Sequence, residues 1–455
     1  MYRTYKQAML FAVLLLQITF SVQAQEKSPA GADTLRFSLS EAISQALQHS
    51  FTRQNADLDV LSAEKQVKVL MANGLPQVNG SINYSRYLQL PVSLVPAEVF
   101  GGNPGEFAEL TFGTKNTLSA GADVSQLLFS GTFFIALQAT QKLVEQAQMQ
   151  VSATDNQIRD ALTRTYFSAL IIQENIGILQ KNIDVLDKVL FETTALNQAG
   201  FVESLDVDRL RLQLNNLNTQ KANLNRQLQS VYNLLKLQMV IDLNQPIALT
   251  QQLTDFIDLT DAALQANPEM AKNSRLELKQ LSISEQLNDL GIKQLNAQYL
   301  PTVAAFLSYE RRFQNNNFKL FNERWFPTAI AGLQISVPIF DGLSKKNQVA
   351  QRLINKKKIQ NGRNQLLRSI DLEIAQAQIA YQNALEQLKS QQEAIALAQK
   401  IYDVSLIKYK EGVGSSFELT DAESKLFQNQ GLYLQALYNL LIAQTDLRKA
   451  TGLYY

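Results

Sequence analysis

Ser125-Gln126-Leu127-Leu128-Phe129-Ser130-Gly131 recurs further along the chain as Ser336-Val337-Pro338-Ile339-Phe340-Asp341-Gly342. Two more motifs recur in the same order. Leu75-Pro76-Gln77-Val78 recurs as Leu300-Pro301-Thr302-Val303, and Gly200 with Ser204-Leu205-Asp206-Val207 recurs as Gly412 with Ser416-Phe417-Glu418-Leu419. Repeats that keep their order indicate a duplicated architecture, and a unit of about 200 residues is too long for a solenoid repeat. The sequence therefore predicts two related structural halves.

The chain begins with a targeting segment. Arg3 and Lys6 form a positive region, the stretch from Met9 to Phe20 is almost continuously apolar, and Val22-Gln23-Ala24 offers a small-residue cleavage site. This pattern predicts a secretory signal peptide over residues 1–24. An uncleaved anchor helix is the alternative, but the apolar run is short for a bilayer span.

The bulk composition limits the possible functions. The chain has 42 basic and 41 acidic residues, so its near-neutral charge gives no indication of a nucleic-acid partner. It contains no cysteine, which excludes disulfides, thiolate metal ligands and a lipid-bearing N-terminal cysteine. We therefore expect a protein that is not lipid-anchored and that gains its stability from packing or assembly.

Long helices account for most of the chain. The stretches from Gly131 to Gly200 and from Gly342 to Gly412 contain no proline. Each would form a helix of about 100 Å, and apolar residues recur in each at seven-residue intervals, which is typical of coiled coils. Helices about half as long are predicted from Ser40 to Asn73 and from Ser204 to Val240.

Four segments change to a period of two, which is typical of strands. They cover about residues 77–87, 117–127, 302–310 and 328–337, each about the length of a tilted transmembrane strand. The loop between the last two segments contains several aromatic residues, as a membrane-interface girdle would. A soluble sheet with one wet face is the alternative interpretation.

The strand number has a consequence for assembly. Four strands cannot stand alone in lipid, because the open edges of a sheet leave backbone groups without partners. Two copies would give a barrel filled by side chains, whereas three copies would leave room for a passage. We expect the first structural repeat to cover residues 25–241 and the second to cover residues 242–455.

In its duplicated motifs and its Gly-x-x-x-Ser-Leu-Asp-Val turn, the sequence resembles the outer membrane efflux protein family, the TolC-like channels. The resemblance covers the chain from about Ser38 to Gly452. It implies a mainly α fold with transmembrane β structure: a periplasmic α-barrel of long coiled-coil helices, and four strands per chain in a trimeric twelve-stranded outer-membrane β-barrel. It also implies a cell outer membrane location with a long periplasmic extension, and two partners, a periplasmic adaptor and an inner-membrane pump of the RND or ABC type.

The resemblance also implies roles for the residues of the two helix turns. Gly200 and Gly412 are expected at the tips of the helical tube, with Ser204 and Ser416 capping the next helices, where relatives dock the adaptor. Plain helix-hairpin turns are the structural alternative. Because the sequence ends at Tyr455, just past Thr451-Gly452, we expect it to lack the C-terminal extension of some relatives.

An acidic aperture is expected at the second turn. Glu418 and Asp421 are three positions apart and share a helix face, so three copies would form a ring of carboxylates that favours cations. A solvated helix face is the alternative. Asp206 and Tyr409 are predicted to form a hydrogen bond that keeps the tip closed, and Gly414 occupies the position where some relatives place an arginine for this purpose.

The function predicted from the sequence is an outer-membrane exit channel of a tripartite efflux or secretion system that passively conducts what the pump delivers. No catalytic or cofactor-binding motif is present, so neither an enzyme nor a cofactor or metal is expected. The basic run that contains Lys356-Lys357-Lys358 is interpreted as a solvated helix face rather than a phosphate site. The alternatives are a type I protein-secretion duct and, from another class, a soluble periplasmic coiled-coil adaptor.

Overall fold

The computed structural model describes residues 34–257, 272, 275–317 and 324–453. The predicted signal peptide and residues 318–323 of the aromatic loop lie outside this part of the chain. Seven helices occur in the described part: α1 Leu39–His49, α2 Phe51–Ala72, α3 Gly131–Gln198, α4 Ser204–Met239, α5 Leu276–Ala297, α6 Ser344–Lys410 and α7 Ser416–Ala450. Eight strands accompany them: β1 Leu35–Phe37, β2 Gln77–Arg86, β3 Val92–Pro96, β4 Phe107–Thr111, β5 Asn116–Phe129, β6 Ile247–Leu249, β7 Thr302–Asn315 and β8 Phe326–Ser336.

The two predicted long helices are confirmed. α3 has 68 residues and α6 has 67, so each is a rod of about 100 Å. The predicted single helix from Ser40 to Asn73 is wrong, because the chain breaks it at Ser50. Ser50 has ψ of 124°, outside the helical region, and its Oγ accepts a hydrogen bond from the backbone N–H of Arg53. A residue that caps a helix in this way ends the one before it.

One antiparallel sheet contains all four predicted strands, in the order β2-β5-β7-β8. The predicted strand positions are confirmed, although β7 and β8 extend further into the expected loop. Phe313 lies in β7 as a fully buried side chain, with its ring centroid 5.8 Å from that of Trp325. The segment between β2 and β5 contains a small antiparallel hairpin of β3 and β4, which is not among the four predicted strands.

The register places the four predicted apolar rows on one face of this sheet. Val78 pairs with Val124, Val124 pairs with Leu307, and Leu307 pairs with Ala331. Directly paired residues of antiparallel strands project to the same side, so the rows are continuous across all four strands. The other face is mainly polar, and its central row is Ser81, Gly121, Glu310 and Thr328.

Two buried clusters hold the helices together. The equatorial cluster lies around the middle of α3, and its largest members include Leu162, Tyr166, Phe167, Leu235, Met239, Ile370, Ile374, Tyr381, Leu437, Leu440 and Leu447. The tip cluster lies nearer the helix turns and consists of Leu179, Ile183, Leu186, Val189, Leu210, Leu217, Ala398, Tyr402, Leu419, Ala422 and Leu426. Both clusters contain members of the predicted seven-residue series, Leu186 and Tyr402 in the tip cluster and Ile374 and Tyr381 in the equatorial cluster, which supports coiled-coil packing.

The start of the described chain is fastened to the equatorial cluster. β1 pairs in parallel with β6, so residues near the beginning of the chain lie beside the connection between the two halves. The Tyr166 hydroxyl donates a hydrogen bond to the Phe37 carbonyl at 3.0 Å. The Tyr166 and Phe167 rings both meet Phe256 edge to face, with centroids 6.2 Å and 5.0 Å away.

A buried arginine joins three of the helices. Arg275 donates to Glu277 at 3.0 Å, to Glu373 on α6 at 2.9 Å and to the Ala450 carbonyl at the end of α7 at 3.0 Å. Desolvation opposes the charge of this guanidinium, but the hydrogen bonds and charges of both glutamates raise its pKa overall. The arginine therefore fixes the beginning of α5 against the second helical hairpin.

Candidate functional site at the helix tips

The two predicted turns end the long helices in the same way. Gly200 has φ of 82° and Gly412 has φ of 73°, the left-handed conformation that favours glycine. The N–H of the residue after each glycine bonds back into the helix, Phe201 to the Leu196 carbonyl at 2.9 Å and Val413 to the Lys408 carbonyl at 3.0 Å. This is the Schellman arrangement of a helix C-terminus. The predicted conformations of Gly200 and Gly412 are confirmed.

The predicted caps are wrong by one residue. Ser204 and Ser416 are already helical, and the N-cap positions belong to Glu203 and Ser415. Ser415 Oγ accepts a hydrogen bond from the Glu418 N–H at 3.2 Å, whereas Glu203 makes no side-chain cap within the described residues. A capping residue needs an extended backbone just before the first helical residue, and the duplicated serine lies one position beyond that point.

Ser416 connects the two helical hairpins instead. Its side chain is fully buried and its hydroxyl donates a hydrogen bond to Asp206 on α4. Arg209 Nη1 lies 3.5 Å from the Ser416 hydroxyl oxygen and 4.0 Å from Asp206 Oδ1. The duplicated serine and the aspartate of the first turn therefore meet within one chain.

A second connection joins the two long helices. Tyr409 Oη on α6 and Thr193 Oγ1 on α3 are 2.9 Å apart, and Lys410 Nζ lies 3.7 Å from Glu192 Oε2. The predicted hydrogen bond between Asp206 and Tyr409 is therefore replaced by two separate ones. Burial raises the pKa of Tyr409, the Thr193 hydrogen bond partly offsets this rise, and the charge of Asp206 adds a smaller rise.

The two predicted aperture acids lie on an exposed face of α7. Glu418 and Asp421 are both solvent-exposed, and Lys425 Nζ donates to Asp421 Oδ2 at 2.7 Å. This lysine partly offsets the acidic charge and was absent from the sequence-based prediction. Gly414 has no room for a side chain here, since a Cβ would lie 3.0 Å from both Lys408 Cβ and the Tyr409 nitrogen.

A third acid of α7 was missed from the sequence. Glu423 is only 3% exposed, and its Oε2 has no hydrogen-bond partner among the described residues. Burial raises the pKa of this carboxyl to about 7. Its charge reaches Tyr402 on α6, where burial first and Glu423 second raise the pKa of the phenol to about 12. The spacing of Glu423 from Leu419 and Leu426 could have indicated a buried position.

The tips also present apolar side chains to solvent. Phe201 is 77% exposed and Val413 is 78% exposed, and both stand directly after the turn glycines. Leu205 and Phe417 occupy equivalent positions of the two turns, and their exposed fractions are 50% and 63%. Exposed apolar groups at equivalent places in both turns are typical of a surface that meets another protein.

Two further properties of the described residues concern ligands and membranes. No helix among them is both long and apolar enough to cross a membrane. No group of three or more histidine, aspartate or glutamate side chains in the described ranges is placed to hold a metal ion.

In sequence, this chain is similar to TolC outer membrane proteins. The TolC outer membrane protein of Vibrio cholerae serotype O1 is 20% identical over 353 residues, which cover 74% of this chain and 77% of the relative. The TolC outer membrane protein of Escherichia coli K12 is 22% identical over 351 residues, covering 74% and 70%.

Solved outer-membrane channels share the fold. The CusC structure superposes with a TM-score of 0.71 at 18% identity, covering 91% of this chain and 92% of that one. The Campylobacter jejuni CmeC outer membrane channel gives 0.69 at 16% identity, covering 91% and 85%. The open state of the Neisseria gonorrhoeae MtrE outer membrane channel gives 0.68 at 17% identity, covering 91% and 88%.

The sequence model of the family described as "Outer membrane efflux protein" matches residues 42–238 and 267–453. The two matched segments include most of both halves of the fold described above. The chain therefore belongs to the outer membrane efflux protein family, the TolC-like channels of the outer membrane.

Proposed function

We propose that three copies of this chain form one exit channel across the outer membrane and the periplasm, through which substrates pass passively. The observation that carries this proposal is the four-stranded sheet, which has one continuous apolar face and whose two outer edges pair with no strand in the described ranges. Open edges cannot face lipid, so the sheet needs neighbours that continue it. Three copies supply twelve strands, enough for a barrel with a water-filled interior.

The helical part continues this passage into the periplasm. α3 and α6 are each long enough to extend about 100 Å from the sheet. The apolar sheet face would contact lipid and the polar face would line the passage, as in other barrels of this kind. In this proposal residues 1–24 are removed as a signal peptide, and residues 25–241 and 242–455 are the two structural repeats.

The partners are a periplasmic adaptor and an inner-membrane pump. The adaptor would dock at the turns that contain Gly200, Ser204, Gly412 and Ser416, where Phe201 and Val413 offer apolar contacts. The pump supplies the energy, and this chain has no catalytic role. A type I protein-secretion duct differs only in the pump that it serves. The soluble-adaptor alternative is set aside, because the family match covers both halves of the chain.

The gate would lie at the same tips. The contacts of Tyr409 with Thr193 and of Ser416 with Asp206 join the second hairpin to the first, and in this proposal they keep the tips closed. Glu418 and Asp421 from three copies would bring six carboxylates around the aperture. Such a ring attracts cations and repels anions, because a low-dielectric wall focuses its field.

Two measurements test this proposal. Protein extracted from outer membranes should migrate as a trimer that dissociates on heating, and should form conducting pores in planar bilayers. A Phe417→Asp variant should form the same pores but fail to co-purify with the adaptor, with the exposed Phe191→Asp on α3 as the matched control. A monomer without conductance would refute the channel, and unchanged adaptor capture would refute the docking surface.

A further inference from the structure

The two outer edges of the sheet are the main unpartnered surface of this chain. Among the described residues, no strand pairs with the outer side of β2 or of β8. Ile82 on β2 is 77% exposed and Ile335 on β8 is 63% exposed, although both belong to the apolar face. Edges of this kind need a specified partner, since otherwise they pair with any available strand.

The internal repeat preserves strand register within the chain. The duplicated motifs align Val78 with Val303, and Val124 with Ile335. Val78 pairs with Val124 in the first half, and Val303 pairs with Ile335 in the second. The agreement holds at the far end of the hairpins, where the pair Tyr84 and Leu118 corresponds to the pair Tyr309 and Ala329.

The contact between the halves supplies a template for the contact between copies. β5 of the first half pairs with β7 of the second, with Val124 opposite Leu307 and Ala122 opposite Tyr309. The repeat makes β8 the equivalent of β5, and β2 the equivalent of β7. A copy of the same contact would therefore join β8 to a β2 strand, which only another molecule can supply.

We propose that β8 of one copy pairs antiparallel with β2 of the next, with Ile335 opposite Ile82 and Leu333 opposite Tyr84. This inference rests on the proposed trimer and adds the register of its contact. All four side chains lie on the apolar face, as this register requires, and a shift by one residue would place each one opposite the polar face. The contact is head to tail and closes into a ring only at a fixed number of copies.

A second observation below the sheet gives the same arrangement. Gly131, at the start of α3, lies against the end of α5, where a Cβ would come within 2.8 Å of Leu300 Cδ1 and 3.3 Å of Ala297 Cβ. The repeat equivalents of these residues are Gly342 and Leu75. A Cβ built at Gly342 meets no described atom within 4 Å, and Leu75 is exposed. The space at Gly342 is therefore where Leu75 of the next copy would pack.

Disulfide trapping tests the register directly, because the chain has no native cysteine. Directly opposed residues of antiparallel strands have Cα atoms about 4.5–5.5 Å apart, within the range of a disulfide. Partners shifted by two residues are about 7–8 Å apart, beyond the usual range. The double variant Ile82→Cys/Ile335→Cys should therefore give a covalent trimer on non-reducing gels, and reduction should return it to monomers.

The controls use the same face and the same chemistry. Tyr84→Cys/Ile335→Cys and Gly80→Cys/Ile335→Cys shift the partner by two residues in either direction and should remain monomeric on denaturing gels. Val124→Cys/Leu307→Cys reproduces the contact within one chain and should oxidise without joining molecules. Each variant is first examined as the native trimer, so a folding failure is recognised separately.

Each outcome of this experiment has one meaning. A covalent trimer from the Ile82 and Ile335 pair alone supports the register. A covalent trimer from either shifted pair, or a native trimer in which no pair forms a bond, overturns the register and leaves the proposed channel intact. A monomeric parent protein in native extracts overturns the proposed function together with the inference.

Discussion

Glu423 provides the sharpest test of the energetics at the helix tips, through the substitution Glu423→Gln. The carboxyl belongs to the apolar side of α7, one turn from Leu419 and Leu426 of the tip cluster, and its Oε2 has no described partner. Burial raises the pKa of Glu423 from 4.5 to about 7. Below pH 4.5 the carboxyl is neutral in both the folded and the unfolded chain, and the cost of keeping it buried grows as the pH rises from 4.5 to about 7.

The magnitude follows from this raised pKa. Each unit of difference between the folded and unfolded values corresponds to about 1.4 kcal/mol, so ionisation of Glu423 should destabilise the hairpin of α6 and α7 by about 3 kcal/mol above pH 7. The sign is that of a carboxyl with a raised folded-state pKa: the stability is present below pH 4.5 and lost as the pH rises to about 7. Glutamine has the same shape without the charge, so it removes this loss.

Amide hydrogen exchange measures the effect locally. At pH 8 the amides of α7 near Glu423 should have an opening free energy about 3 kcal/mol higher in the Glu423→Gln variant than in the parent protein. At pH 5 most of this difference should disappear. Glu418→Gln, an exposed acid on the same helix, is the matched control and should show no such dependence on pH. An equal gain at pH 5 and pH 8 would refute ionisation as the cause.

Three further predictions concern the proposed gate and the equator. Thr193→Val and Asp206→Asn should each weaken one connection between the hairpins by about 1 kcal/mol, and each should raise single-channel conductance in planar bilayers. Unchanged conductance in the double variant would show that neither contact belongs to the gate. Glu418→Gln/Asp421→Asn should lower cation selectivity and relieve block by divalent cations, measured by reversal potentials, whereas Asp208→Asn, an exposed acid of the first hairpin, should not. Arg275→Met should lower the thermal unfolding temperature, at a cost of about 1–3 kcal/mol, since it leaves the Ala450 carbonyl and two half-exposed glutamates without their donor. Lys279→Met, an exposed change one turn further along α5, should leave that temperature unchanged.

Much of the fold could be predicted from local sequence, because periodicity and turn residues are local signals. Proline-free stretches between glycines predicted α3 and α6, and alternation predicted the four strands of the sheet. The break at Ser50 was missed, since a serine within a helical pattern can either cap a helix or continue it. The hairpin of β3 and β4 was missed because its polar and aromatic surroundings resemble an ordinary loop.

The site was less predictable, because it depends on how distant helices are rotated against each other. The sequence indicated that Tyr409 and Asp206 would lie near the tips, but the partner of each is set by packing between the two hairpins. Ser416 was expected at a helix cap and is instead the first residue of α7, where its buried hydroxyl contacts Asp206 of α4. Glu423 could have been found by asking which charged residues follow the apolar spacing of α7.

The parallel pairing of β1 with β6 has a consequence for the order in which the molecule is built. Leu35 lies opposite Ile247, so β1 has no partner in β6 until almost the whole first half of the chain has been made. Contacts between residues so distant in sequence form slowly. Closure of the equator is therefore a late step of folding, and until then the β1 segment beside α1 is not held by β6 and is accessible to chaperones and proteases.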